Sequence, residues 1–292
     1  MIEEQKQGLV KRQGLSEVDL TEIAQLAHIC NSCEGLDIKL NWSILRERST
    51  NEVNDLLYYQ QEHLVGYLAI YAFNTREAEI SGMIHPDYRR QGIFSMLLRE
   101  ASEACRQREL HKIFLIVEHN AQSGQAFAAS LLAHYHHSEY RMSLSELHAP
   151  QNFTPYLEFR LARVDEGAIL AHITNAAFAM DEDAEYAEYA PDAFENLARR
   201  YYIALLDGVY IGKINVSLDE QEGFIYGFAV SPEQQHKGYG RQILARTVQA
   251  IYEMGRRNVA LEVEVKNSGA LSLYQSCGFY ETSRYDYYSL DI

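Results

Sequence analysis

Phe228-Ala229-Val230-Ser231-Pro232-Glu233-Gln234-Gln235-His236-Lys237-Gly238-Tyr239-Gly240-Arg241 reads as a strand that stops at Pro232, a glycine-punctuated turn, and the opening of a helix. The helix is expected because Ile243, Leu244, Thr247, Val248 and Ile251 recur beyond the turn at helical spacing. A turn of this kind directs backbone N–H groups at one spot, where the helix dipole favours a phosphate. Gly238 and Gly240 have no Cβ, so an anion can come close to the main chain. The spacing is Gln-x-x-Gly-x-Gly, without the Gly-Lys-Ser/Thr ending of a Walker loop or the third glycine of a dinucleotide fingerprint. An ordinary helix-opening turn is the alternative.

The same order occurs twice. His85 to Phe94 lies over Ser231 to Gly240 at an offset of 146, and Val65-Gly66-Tyr67 over Ile211-Gly212-Lys213 at the same offset. Ser123-Gly124 falls on Ser268-Gly269, and Ser138-Glu139-Tyr140 on Ser283-Arg284-Tyr285, at 145. Anchors in register across so long a stretch indicate two copies of one domain. The copies are placed at 1–146 and 156–292, joined by a polar, proline-bearing linker at 147–155.

In the first copy, strand patterns are expected at 8–13, within 56–73, at 79–84, at 112–117 and, closing the copy, at 139–144. Helices are expected after Ser16, weakly at 41–48, from Ile93, and at 122–133. The second copy restarts at Leu157 with strands at 201–206, 209–216, 224–230, 259–265 and 280–290, and a helix at 268–276. This alternation is that of a mixed α/β domain.

The 292 residues carry a formal charge of −15, which argues against nucleic acid as the main partner. No apolar run reaches the roughly 20 residues that span a bilayer, and the N-terminus lacks a basic, then apolar leader, so a cytoplasmic protein without a membrane partner is expected. Cys30 and Cys33 form a lone Cys-x-x-Cys on a helical pattern, with no second pair to complete a zinc site, so no metal is expected. His134, His136 and His137 fit a surface strand better than a metal tract.

The glycine turn resembles the acetyl-CoA pyrophosphate loop of the GNAT superfamily of N-acetyltransferases. Leu261-Glu262-Val263-Glu264-Val265-Lys266-Asn267, followed by Leu273-Tyr274 and Gly278-Phe279, resembles a second GNAT element, a strand ending in Asn and a short helix carrying Leu-Tyr. The resemblance implies a mixed sheet with two splayed central strands flanked by helices, and acetyl-CoA as cosubstrate. It implies that main-chain groups of Phe228, Ala229 and Val230 hold pantetheine and polarise the thioester, and that Gln235, His236, Lys237, Gly238, Tyr239, Gly240 and Arg241 hold the pyrophosphate. Asn267 would bond the pantetheine arm, although it also fits as an N-cap for the helix that follows. Tyr274 would protonate the departing thiolate, with core packing as its other reading. Glu262 stands twelve residues before Tyr274, where ribosomal-protein alanine acetyltransferases carry their base; Tyr226 or a relayed water are alternatives.

At the 145 offset Tyr274 corresponds to Ala129 and Asn267 to Gln122, while in the loop, at 146, Phe94 stands where the second copy has Gly240 and crowds the turn. The first copy is therefore expected to be a degenerate domain with little or no catalysis. A tandem with its active centre in the second copy is similar in layout to the mycothiol synthases. A non-catalytic acyl-CoA sensor or interaction protein on a duplicated scaffold is the competing class. The acceptor is expected to be an amine, and Asp181 to Glu195, with seven carboxylates and no cation, suits a cationic one; a disordered, solvated loop is the alternative for that stretch. If that stretch attracts the acceptor, acetylation of a polyamine falls at high salt and that of a neutral amine does not; equal salt responses overturn the idea.

Overall fold

The structure, a computed structural model, describes residues 6–48, 51–73, 76–154, 157–178 and 189–292. The chain forms two compact units, Met1–Ser138 with Ser283–Ile292, and Glu139–Thr282. In chain order the first copy supplies β1 (Gly8–Arg12), α1 (Glu17–Glu34), α2 (Trp42–Glu47), β2 (Asp55–Gln60), β3 (His63–Tyr71), β4 (Glu77–Ile84), α3 (Ile93–Gln107), β5 (Lys112–Glu118), α4 (Gln122–Ser130) and β6 (His134–Leu144). The second supplies β7 (Leu157–Leu161), α5 (Gly167–Phe178), β8 (Arg199–Leu206), β9 (Val209–Leu218), β10 (Glu222–Val230), α6 (Tyr239–Glu253), β11 (Asn258–Glu264), α7 (Ser268–Ser276) and β12 (Phe279–Asp291).

Local chemistry sets the ends of these elements. Ser16 caps α1 by accepting from Asp19 N at 3.1 Å, and the Asp19 carboxylate answers by accepting from Ser16 N at 3.0 Å. Gly35 stops the helix in the left-handed conformation. The expected alternation of apolar and polar residues on α6 places Ile243, Leu244, Val248 and Ile251 wholly inside. Each such side chain contributes about 1.5–3 kcal/mol of burial. These residues join Ile211, Ile214 and Leu261 in one core on the α6 face of the sheet; Leu170, Ile173, Tyr201 and Ile203 form a second core under α5. The first unit repeats this arrangement, with one core under α3 and another under α1.

In each unit four antiparallel strands lead to one parallel pair. β4 and β5 pair from Glu77↔Lys112 to Ile80↔Leu115, and β10 and β11 from Glu222↔Asn258 to Ile225↔Leu261. The ladder then ends although all four strands continue, so each unit has the splayed centre implied by the sequence resemblance.

The last strand of each sheet departs from the sequence reading, which closes the first copy with 139–144 and the second with 280–290. Glu139 to Ser143 pair with β11 inside the second unit, and Tyr285 to Asp291 pair with β5 inside the first. The division into 1–146, a linker and 156–292 thus follows the repeat, whereas the packed units exchange their final strands. The described part of the linker is tied to the second unit: Thr154 N donates to Gln242 Oε1 at 2.7 Å, and His148 N to Cys277 O at 3.0 Å. Among the described residues no helix is long and apolar enough to cross a membrane, and no group of three His, Cys, Asp or Glu is placed to hold a metal ion.

Asp286 fixes the exchanged strand of the first unit. Its Oδ1 accepts from Ser138 Oγ at 2.5 Å and Arg284 Nε at 3.1 Å, and its Oδ2 lies 2.7 Å from His119 Nδ1. Burial alone would raise its pKa, but the bonds from Ser138 and His119 and the charge of Arg284 outweigh burial and hold the carboxyl below its usual value. The stability it contributes is therefore complete above the unfolded value, near 4, and is lost as pH falls through the lower folded value. Asp286→Asn is expected to cost about 2 kcal/mol in urea unfolding at pH 7. The gap between variant and wild type should stay level from about pH 6 to 8 and narrow below about pH 4; a gap that widens on acidification contradicts this account.

Candidate active site

The glycine turn of the second unit forms a short 3-10 turn at Pro232–Gln234, an extended Gln235, a left-handed His236 (φ 60°) and a left-handed Gly238 (φ 82°) that caps α6. Gly238 has no side chain to accept from the first N–H groups of the helix, so an external anion can take that place. The first unit has the same backbone, with Arg90 at φ 62° and Gly92 at 79°. Gln235 Nε2 donates to Val230 O at 3.0 Å and ties the loop to the strand end. His236, Lys237 and Gly238 are exposed, and Tyr239 packs against the α6 core. Arg241 reaches away from the loop and donates to Ser276 O at 2.6 Å and His148 O at 3.3 Å, which stops the last turn of α7.

Sequence reasoning took 224–230 as a plain strand. The structure has a β-bulge within it: the β10–β9 register shifts between Tyr226 and Ala229, and Gly227 has φ +53°. A glycine inside a strand pattern was the available signal. Phe228, Ala229 and Val230 follow the bulge and lie past the last β10–β11 pair, so their main chain faces the open split. The first unit has no such bulge, since β4 pairs with β3 without interruption from Tyr71↔Glu79 to Gly66↔Ile84.

Across the split, Asn267 caps α7 by accepting from Ala270 N at 3.1 Å. Its oxygen is occupied, leaving the exposed amide nitrogen as the group able to reach a ligand. Tyr274 is buried on the same helix, with its ring 6.5 Å from Phe228 and 6.0 Å from Phe279. Its hydroxyl has no hydrogen-bond partner among the described residues. Burial, and next the Cys277 thiol, push its pKa up, which keeps the proton on the oxygen throughout the physiological range. Glu262 is the first residue of β11 beyond the parallel ladder and pairs across strands with Arg141. Arg141 Nη2 donates to Glu222 Oε1 at 2.7 Å, while Nη1 stands 3.9 Å from Glu262 Oε1. The structure thus brings Phe228 and Tyr274 together from opposite sides of the split, with Asn267 at the start of the helix that carries Tyr274, and places Glu262 in a carboxylate–arginine group at its base.

The first unit differs in ways that a fixed offset hides. Gln122 and Ser268 open the two helices 146 residues apart, and Ser130 and Ser276 close them at the same distance. The 145 offset fits only the strands beyond, because three residues separate α4 from β6 and two separate α7 from β12. Tyr274 therefore corresponds to Ala128, not Ala129, and Asn267 to Ala121, not Gln122. Phe94, which seemed to crowd the loop, is compensated: Gly82 stands where the second unit has Phe228, and a Cβ on Gly82 would come 3.0 Å from Phe94 Cε2. One ring fills each site, from the helix in the first unit and from the strand in the second. The first unit has a cavity of about 640 Å³ lined by Lys39, Gly82, Arg90, Phe94, Ser123 and Phe127 among others, while Ala128, at the tyrosine position, is fully buried. Arg89 beside it is paired with Glu34 at 2.7 Å.

A sheet split between its two parallel strands, a glycine loop and helix at the end of one, and an asparagine-capped helix at the end of the other define an acyl-CoA-dependent transferase fold, present twice. The Acetyltransferase (GNAT) family matches the chain over residues 19–132 and 168–279, and the chain belongs to that family. The [ribosomal protein bS18]-alanine N-acetyltransferase of Escherichia coli K12 is 37% identical over 68 residues, which are 23% of this chain and 46% of that protein. The chain spans less than half the length of the curated relatives it first matches. Two solved structures share the fold over nearly the whole chain. A GCN5-related N-acetyltransferase from Sphaerobacter thermophilus has a TM-score of 0.75 at 16% identity, covering 97% of this chain and 95% of that one. A tandem GNAT protein from the clavulanic acid biosynthesis pathway has a TM-score of 0.73 at 16% identity, covering 97% and 98%.

The cap and the free amide of Asn267 separate cleanly by mutation. Asn267→Ala is expected to cost about 1 kcal/mol of stability, and Asn267→Ser, which keeps a capping oxygen, only a few tenths. Equal losses in chemical denaturation would remove the capping role.

Proposed function

We propose that the second unit transfers the acetyl group of acetyl-CoA directly to a primary amine of a small molecule or peptide. The observation that carries this reading is Tyr274, buried yet unbonded at its hydroxyl, facing Phe228 across a split that the glycine loop closes at one end. The loop from Gln235 to Arg241 holds the pyrophosphate at the N-terminus of α6, with the main chain as the principal donor and Arg241 bracing α7 behind it. The Asn267 amide bonds the pantetheine arm. Main-chain groups of Phe228, Ala229 and Val230 align the arm, and an N–H among them polarises the thioester carbonyl.

The amine must lose a proton to attack. Glu262, directly or through a water, is assigned that step, with Tyr226 as the competing group. The nitrogen lone pair forms the C–N bond, the C–S bond breaks, and the Tyr274 hydroxyl gives its proton to the departing thiolate. The raised pKa of Tyr274 suits a donor that must enter each turnover protonated. The acceptor is read as cationic from the acidic stretch Asp181–Glu195. Residues 181–188 of that stretch lie outside the described residues, and Tyr189 to Glu195 border the α5 core.

The cavity of the first unit, together with alanine at the tyrosine position, favours a second role there: holding an acyl-CoA without transfer. The closed strand exchange makes the full chain the proper sample. Calorimetric titration of acetyl-CoA is expected to give two sites per chain, and one site removes this second role. Tyr274→Phe is expected to lower kcat by about 10- to 100-fold with little change in the KM for acetyl-CoA. Because the hydroxyl has no partner among the described residues, stability should stay within about 0.5 kcal/mol. An unaltered kcat takes Tyr274 out of the mechanism.

A further inference from the structure

Lys213 is fully buried in the middle of the second unit's sheet, paired with Ile203 on one neighbouring strand and Ala229 on the other. An ammonium in such a place is unfavourable unless other groups engage it. Here its Nζ donates to the Tyr189 hydroxyl and lies 4.9 Å from the centroid of that ring. Asn215 Nδ2 donates to the same hydroxyl at 3.1 Å. Both polar groups press on the bulge, since a Cβ at Gly227 would stand 2.7 Å from Asn215 Nδ2 and 2.9 Å from Lys213 Nζ. The bulge is therefore moulded on these two side chains, and only glycine fits between them at φ +53°.

The first unit is an internal comparison. Between the last parallel pair and the strand end it advances from Ile80 to Ile84, whereas the second advances from Ile225 to Val230, one residue further. Where the second unit has Lys213 and Asn215 the first has Tyr67 and Ala69, and the Tyr67 hydroxyl donates to Asp55 Oδ1 at 2.5 Å. Lysine, asparagine and inserted glycine occur together in the copy with Tyr274 and are missing together from the other.

We propose that Lys213, with Asn215 and Tyr189, is a positioning residue for acetyl transfer. It fixes the Gly227 bulge and hence the main chain of Phe228 to Val230, and it places a buried positive charge behind that strand end. Donors held in advance need no reorganisation as negative charge grows on the carbonyl oxygen, and a charge in a low-dielectric interior acts on that oxygen with little screening. The effect falls on the transition state, so it belongs in kcat rather than in acetyl-CoA binding. The inference rests on reading the second unit as the transferase.

The test is steady-state thiol release from acetyl-CoA by the full-length protein with the best acceptor from a panel of primary amines. Lys213→Met is expected to lower kcat by about tenfold or more with the KM for acetyl-CoA within about threefold. Tyr189→Phe, which keeps the ring and removes the shared acceptor, is the milder variant; a kcat loss of about threefold with a near wild-type melting curve is expected. If Lys213→Met fails to fold, Tyr189→Phe decides alone. A folded variant with unchanged kcat, or a loss confined to KM or melting temperature, overturns the proposal and leaves the transferase reading standing. A wild-type protein that binds acetyl-CoA and releases no thiol with any amine overturns both.

Discussion

Two parallel strands that hydrogen-bond over four residues and then part are the constraint on which each unit depends. Backbone N–H and C=O groups inside a protein need partners, and the split withdraws them from the ladder on both facing strands at once. Those groups remain available only because the flanking helices keep the strands apart. α3 and α6 leave the first strand of each pair through a left-handed glycine, and α4 and α7 leave the second. The glycine loop, the strand end and the capped helix are thus consequences of one interruption in pairing.

The two copies show what this frame tolerates. The aromatic ring over the loop comes from Phe228 in one unit and Phe94 in the other, with glycine opposite in each case. Packing density is kept while the chemistry changes. The tyrosine position is different: the first unit has the fully buried Ala128 there, a methyl group where the second unit has an aromatic hydroxyl. The bulge at Gly227 adds a second contrast, since it turns the strand end at the place where main-chain donors are assigned to the thioester.

The exchanged final strands show how little of such a choice is local. Glu139 to Ser143 and Tyr285 to Asp291 are edge-to-centre strands of one repeated pattern, each able to satisfy the same kind of neighbour. Strand propensity and alternation are alike in both, so they specify a strand without specifying its partner. Asp286 gives the first unit's choice a polar anchor through Ser138 and His119, residues distant in the chain, and through its near neighbour Arg284.

Much of the candidate site was legible because it is built from contiguous signals. The loop from Ser231 to Arg241, the helix after it, and Asn267 with Tyr274 each declare themselves by spacing or by residue type, and the repeat exposed the copy that lacks the tyrosine. The fixed offset failed by one residue at α4 because a single extra residue lies beyond that helix, a difference that turn geometry absorbs and matching letters do not reveal. Lys213 and Asn215 were invisible for another reason: in sequence they are polar residues on a strand, and only strand pairing brings them under Gly227. The sequence by itself determined the fold class, the doubling and the glycine turn that opens each repeated helix, because periodicity and turn chemistry are local. Tertiary structure alone decided which sheet each last strand completes, where β10 bulges and which buried lysine lies behind it, because those depend on contacts between residues far apart in the chain.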